Sequence, residues 1–322
     1  MQSFHISMYL YIVNTMRHLL LLALLCWAGL VFADGDIYAV IVSGGRSKMY
    51  NHERYWNDCA FLYSTLRQKY HLPKDHIVLL MADGDNPAND MLRDGATGFT
   101  SSPTDLDGDG QPDLTLAATR QNLDDICRRL STTLTATDHL FLFITDHGER
   151  SPSDGNIHLW LWGDEQITPD ELASMVDQCH PATMNILLGQ CYAGAFVAPL
   201  QGEGRIITTA CAADQLSWAC KVRPYDEFIY HWICAIARHD EQGQPVDSDL
   251  NNDGWVSMQE AYEYAWQHDC RPETPSLTQQ PAMLASRWTF GNTSVFSAVG
   301  SLSREDKNSY IFNLQGHRVN HQ

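Results

Sequence analysis

The chain has 322 residues, 44% of them hydrophobic and 19% charged, enough to bury one sizeable core in a globular fold. Its 21 Lys and Arg stand against 39 Asp and Glu, a formal net charge of -18, which argues against a nucleic-acid partner because the phosphates would be repelled. The acidic surplus then serves solubility or cation binding, and the clustering of aspartates favours the second in two places.

At the N-terminus, Arg17 and His18 precede an apolar run from Leu19 to Phe32 that ends Val31-Phe32-Ala33, the pattern of a signal peptide over residues 1–33 cleaved before Asp34. Met16 begins a more conventional segment of this kind than Met1 does. The run is short for a membrane span, so the expectation is export to the periplasm or the extracellular space, without stable membrane insertion. Of the nine cysteines, Cys26 leaves with this segment. Cys211 and Cys220 flank a loop and are the best candidates for a disulfide, while the lack of any C-x-x-C pair leaves zinc without support.

The apolar run Ile37 to Ser43 predicts a buried first strand, and Gly44-Gly45 ends it. Apolar residues from Arg54 to Tyr70 recur at helical spacing, and Ile77 to Met81 reads as a second strand, so the chain opens with the unit of a parallel sheet. A polar stretch follows from Asp83 to Asp113. Near its end Asp105, Asp107 and Asp109, then Gln111 and Asp113, place oxygens at alternate positions around glycines, as a calcium loop does. The twelfth position is Leu116, so the usual bidentate acid is missing there.

A helix is predicted over Thr119 to Leu130, and a strand over Asp138 to Thr145. Ile157 to Trp162 alternates like a hairpin arm; Thr168-Pro169 reads as a capped helix start. Further strands are predicted at Met184 to Leu188 and Arg205 to Ala210, and a further helix at Asp226 to Arg238. This alternation predicts the α/β class: a three-layer α/β/α sandwich on a mostly parallel sheet. The stretch Asp249 to Glu260 fits the EF-hand loop through Asp249, Asn251, Asp253, Trp255, Ser257 and Glu260, with Gly254 at the sixth position and an exiting helix over Met258 to His268. The expected organisation is the α/β domain over 34–245, the calcium loop and helix packed on it over 246–290, and a tail over 291–322.

Two apolar strands stop at reactive side chains, Phe141-Leu142-Phe143-Ile144-Thr145-Asp146-His147-Gly148 and Asn185-Ile186-Leu187-Leu188-Gly189-Gln190-Cys191. If both lie in one parallel sheet, an imidazole and a thiol meet at its carboxyl edge, where one can serve as base and the other as nucleophile. Either residue alone would more often be packing. They are 44 residues apart, room for one hairpin and one helix between neighbouring strands.

These stretches resemble the legumain-type (C13) cysteine peptidases, relatives of caspases and gingipains. Thr145-Asp146-His147-Gly148 is similar to that family's Thr-Asp-His-Gly, and Cys191-Tyr192-Ala193-Gly194 to its Cys-Glu-Ser-Gly; the likeness begins at Ala39 and runs to about Trp232. The resemblance implies a caspase-like fold, catalytic His147 and Cys191, and an oxyanion hole from the backbone N–H groups of Gly148 and Cys191. It also implies a substrate pocket with Arg54, Ser217 (followed by Trp218) and Asp226, and Asn51 as the residue orienting the histidine. Where the family has an acid two positions before the nucleophile, this chain has Gly189, followed by Gln190. Plant and animal legumains carry a long helical C-terminal prodomain, and the EF-type segment and tail that follow Trp232 are expected to be too short to supply one.

The implied function is an exported endopeptidase acting on a peptide or protein through a thioester, after Asn or Asp, with structural Ca2+ and no catalytic cofactor. Interception of the same thioester by an amine, making a transpeptidase or ligase, is the runner-up, and an inert calcium-stabilised binding module is the reading from another class.

Overall fold

Strand β1 (Ile37–Ser43) shows why both faces of the sheet are covered. Ile37, Ala39 and Ile41 enter one hydrophobic cluster, whereas Val40 and Val42 enter another, as the two-residue period of a strand requires. Strands β2 (Ile77–Met81), β3 (His139–Ile144), β4 (Thr183–Leu188), β5 (Arg205–Thr209) and β6 (Ser276–Gln280) complete a six-stranded sheet in the order β6-β5-β4-β3-β1-β2. Strands β1 to β5 are mutually parallel; β6 runs antiparallel along the edge of β5. The computed structural model describes residues 35–93, 98–114 and 116–291, with the backbone of 311–312 and 318–319. The predicted signal peptide and nearly all of the 291–322 tail lie outside the described residues.

Helices α1 (Glu53–Ser64), α4 (Glu227–Ala237) and α5 (Met258–His268) pack their apolar residues with Ile37, Ala39 and Ile41 on one face. On the other face lie α2 (Arg120–Thr133) and α3 (Pro169–Val176). The result is the three-layer α/β/α sandwich with a mostly parallel sheet. Local chemistry sets the helix starts: Thr119 accepts from Asn122 N at α2, and Thr168 forms a capping box with Glu171 ahead of Pro169 at α3.

Two elements depart from the sequence expectation. The helix predicted to run to Tyr70 changes at Thr65 into a π-helical turn, Thr65–Lys69, where Thr65 Oγ1 bonds back to Phe61 O at 2.8 Å. Strand β6 was not expected, because Ser276-Leu277-Thr278-Gln279-Gln280 is a polar edge with no apolar alternation. Beyond it, Trp288 and Phe290 enter the same core as β1, so the segment after residue 246 shares the core of the sheet. Trp288 packs edge-on to Phe290 at 4.8 Å, Phe290 edge-on to Phe141 at 5.0 Å, and Trp232 stacks on Phe141 at 5.8 Å. Trp288 Nε1 also donates to Thr183 Oγ1 at 2.9 Å, at the start of β4. Replacing this fully buried indole should therefore be costly: Trp288→Ala is expected to lower stability by about 3–5 kcal/mol, read as a shifted denaturant midpoint.

Candidate active site

The pairing of β3 with β4 aligns Ile144 with Leu188. His147 and Cys191 each lie three residues beyond that pair, so parallel strands deliver them at the same level of the sheet's carboxyl edge. A Cβ added at Gly148 would stand 1.9 Å from Cys191 O, so only glycine lets the two loops come this close. The Gly148 N–H reaches the Cys191 thiol, which donates to Ser217 O at 3.6 Å. Tyr192, just after the nucleophile candidate, has φ 60, a strained left-handed residue that leads the chain into the short helical turn Ala193–Phe196.

His147 Nε2 is 2.9 Å from Tyr50 O. A carbonyl only accepts, so Nε2 carries the proton and Nδ1 keeps the lone pair that can take one. The rings of Tyr55 and Tyr50 meet the imidazole edge-on at 5.3 and 5.9 Å. Burial, with Arg54 and His52 nearby, pushes the His147 pKa down to about 4; burial pushes the Cys191 thiol up. Both groups therefore rest uncharged near neutral pH.

Buried Asp146 ties the two loops behind the imidazole together. It accepts His147 N and Gly45 N, each at 2.6 Å, and burial raises its carboxyl to about 7. The segment it holds, after β1, carries Tyr50. Asn51, the expected orienter, does not meet the histidine: its amide donates to Asp90 O at 3.0 Å, and the neighbouring Tyr50 carbonyl contacts the ring instead.

The pocket residues converge. Arg54 Nε donates to Asp226 Oδ1 at 2.8 Å, and Arg54 Nη2 to Tyr55 OH at 2.8 Å. Asp226 sits at the start of α4 without capping it, so its carboxylate is available to Arg54 and to the Thr145 hydroxyl, 3.0 Å from Oδ2. Ser217 stands beside the thiol through its carbonyl, and Trp218 is a partly exposed neighbour under the Arg271 guanidinium, 4.9 Å away. Gly189 and Gln190, expected at the substrate pocket, are both buried. Gln190 is fully buried, its side-chain amide has no partner among the described residues, and it is not available to substrate. A Cβ at Gly189 would lie 2.7 Å from Ile229 Cγ1 and 3.3 Å from Thr145 Oγ1, so no acidic side chain fits there.

Sequence reasoning missed the Tyr50 carbonyl, Asp58, Thr145 and Glu273. Glu273 Oε2 accepts Trp218 N at 3.1 Å, and burial with Asp269 close by pushes its carboxyl up to about 9. Asp58 was the findable one, since it follows Arg54 by one helical turn. The expected pairing of Cys211 with Cys220 does not form: the Cys211 thiol donates to Gln190 O and Gln215 O, Cys220 lies against Glu227, and the eight cysteines from Cys59 to Cys270 are all free.

Both Asp-rich loops suit a hard cation in part. The carboxylates of Asp105, Asp107 and Asp109 lie within 4.8 Å of one another. Gln111 follows on an exposed turn, its N–H donating to Asp109 Oδ1 at 2.7 Å. Asp113, however, is the loop's anchor: its carboxylate takes Lys74 Nζ at 2.6 Å, Tyr63 OH at 2.8 Å and Leu106 N at 2.9 Å. In the second loop Asp249 accepts Asp253 N and Gly254 N, Asn251 accepts Asp253 N, and Asp253 accepts Trp255 N. Gly254 takes the positive φ of 94 that the sixth position needs. Ser257 and Glu260 form the capping box of α5, and Glu260 Oε1 also accepts Asn251 N at 3.1 Å, which closes the loop. The oxygen-rich donor set fits calcium. Asp249, Asn251, Asp253, the Trp255 carbonyl and Glu260 would hold it in the second loop, and Asp105, Asp107 and Asp109 in the first.

A mostly parallel sheet flanked by helices, with a thiol and an imidazole at adjacent strand ends, is consistent with the caspase-like α/β fold. The sequence model of the Peptidase C13 family matches residues 117–264, a span that includes His147 and Cys191, and this supports a legumain-type C13 peptidase. No curated protein matches the chain.

The resting charges set a pH profile. If the imidazole serves as base to the thiol, it must be neutral to take the proton, so the acid limb of kcat/KM should fall at about pH 4 and the basic limb should lie above the ordinary thiol range. Initial rates on a peptide substrate from pH 3 to 10 check this; an acid limb near the ordinary histidine value of 6.5 would contradict it.

Proposed function

We propose that the protein is an exported endopeptidase in which Cys191 and His147 form the catalytic dyad. The observation that carries this is the level placement of the two residues on paired strands, with the Gly148 N–H against the sulfur. His147 Nδ1 takes the thiol proton as sulfur attacks the peptide carbonyl carbon. Negative charge then develops on the carbonyl oxygen, where the Gly148 and Cys191 N–H groups are the donors that stabilise it. Collapse breaks the C–N bond, the imidazolium protonates the leaving amine, and a thioester remains. Water, deprotonated by His147, releases the acid and restores the thiol.

The pocket chemistry favours Asn as the residue before the cleaved bond. Arg54 can donate to an amide oxygen, and Asp226 can accept from its NH2. An Asp side chain would instead bring a second carboxylate against Asp226. Among the described residues no helix is long and apolar enough to cross a membrane. Cys191→Ala and His147→Ala should each lower cleavage of Asn-containing peptides by at least about 1,000-fold while leaving the fold intact by circular dichroism. Retained proteolysis by either variant would overturn the assignment.

Calcium is the structural cation of this reading, held in the two acidic loops. Its removal should weaken the fold, because the closely spaced carboxylates of Asp105, Asp107 and Asp109 would lose a cation that neutralises their repulsion. At calcium hundredfold above the dissociation constant, each occupied site contributes about 2.7 kcal/mol. Chelation is therefore expected to lower the melting temperature by several degrees, and an unchanged melting curve would remove calcium from the account.

A further inference from the structure

Asp58 is a fully buried acid that the catalytic scheme does not use. It lies one turn along α1 from Arg54, on the same helix face, and both reach Asp226. The two side chains meet it differently. Arg54 Nε is given to Asp226 Oδ1 at 2.8 Å, whereas Asp58 has both carboxyl oxygens 3.4 Å from Asp226 N. The Thr145 hydroxyl is 3.0 Å from Asp226 Oδ2 and 3.5 Å from Asp58 Oδ2. Beyond this group the Asp58 neighbours Cys59, Tyr225 and Cys220 carry no positive charge.

Two carboxyls thus share one buried site with one guanidinium. If both were ionised, the second charge would be desolvated beside a like charge and met by two long N–H contacts and one hydroxyl, so burial and repulsion would both oppose it. A single proton on Asp58 removes the repulsion and turns it into an O–H donor facing the Asp226 carboxylate. Burial and the neighbouring Asp226 act in the same direction, raising the Asp58 pKa well above its usual range.

We propose that Asp58 is a protonated acid that positions Asp226 at the base of the substrate pocket, a role that rests on the endopeptidase reading above. Asp226 does not cap its own helix, so its carboxylate is oriented by Arg54, Thr145 and Asp58. Held this way, its charge is balanced by Arg54 and the pocket base is electrically neutral. A neutral amide side chain is then received with a donor and an acceptor in place, while a carboxylate meets no spare positive charge. Asp58 does not touch substrate in this scheme; it acts through Asp226.

The test uses the mature full-length protein and two variants, Asp58→Asn, which copies a neutral acid, and Asp58→Leu, which copies only its bulk. An infrared difference spectrum, wild type minus Asp58→Asn at pH 7, should show the carbonyl stretch of a protonated carboxylic acid; a carboxylate band in its place overturns the proposal. On a peptide with Asn before the cleaved bond, Asp58→Asn should stay within about threefold of wild type in kcat/KM, and Asp58→Leu should raise KM by about tenfold or more with little change in kcat. The alkylation rate of Cys191 by iodoacetamide should be the same in all three proteins, which separates a pocket effect from a damaged dyad. An Asp58→Asn variant as impaired as Asp58→Leu, or an Asp58→Leu variant with wild-type KM, also overturns the proposal. If the wild type cleaves no peptide, the endopeptidase reading fails by itself, and the infrared band still decides whether Asp58 carries the proton.

Discussion

The site depends on the register between β3 and β4. Each strand is buried along its whole length, so a slip of one residue would exchange the two faces of the sheet and send core side chains to the wrong cluster. Hydrophobic burial on both faces therefore fixes a polar result, the equal height of His147 and Cys191. Gly148 then allows the two loops to touch, and Asp146 holds the loop after β1 against the loop after β3. The reactive groups are placed by packing that is remote from the chemistry.

Electrostatics at this edge favour neutral groups at rest. Burial disfavours both the imidazolium and the thiolate, so the structure does not hold a preformed ion pair. In the proposed mechanism charge develops only as substrate offers an oxyanion to the backbone N–H groups, which concentrates stabilisation in the transition state. The same economy marks the pocket, where one guanidinium meets Asp226 and the second carboxyl, Asp58, is kept uncharged by its surroundings.

What could be read in the sequence follows a physical division. Side chains announced by an apolar strand ending, such as His147 and Cys191, were legible, as were Arg54 and Asp226 through resemblance to the legumain-type pattern. Groups without a side-chain signature were not. The carbonyl that orients His147 belongs to Tyr50, and any residue type could have supplied it; Asn51 drew attention because its amide looks functional, yet that amide serves Asp90. Gln190 adjoins the nucleophile in sequence but turns inward, because consecutive residues leaving a strand face opposite sides. Strand β6 and the Trp288–Phe290 pair escaped because a polar edge strand has no periodic apolar signal. Glu273 reaches the site from the far end of the chain, a contact that only the tertiary fold creates.

The central claim, that Cys191 carries the acyl group during turnover, can be tested on the intermediate itself. Rapid acid quench during hydrolysis of an Asn-containing peptide, followed by intact mass and peptide mapping, should reveal an adduct equal to the acyl fragment on Cys191 that hydroxylamine releases, as a thioester requires. An adduct on another residue, or turnover with no hydroxylamine-labile species under conditions that make its breakdown slow, would contradict the account.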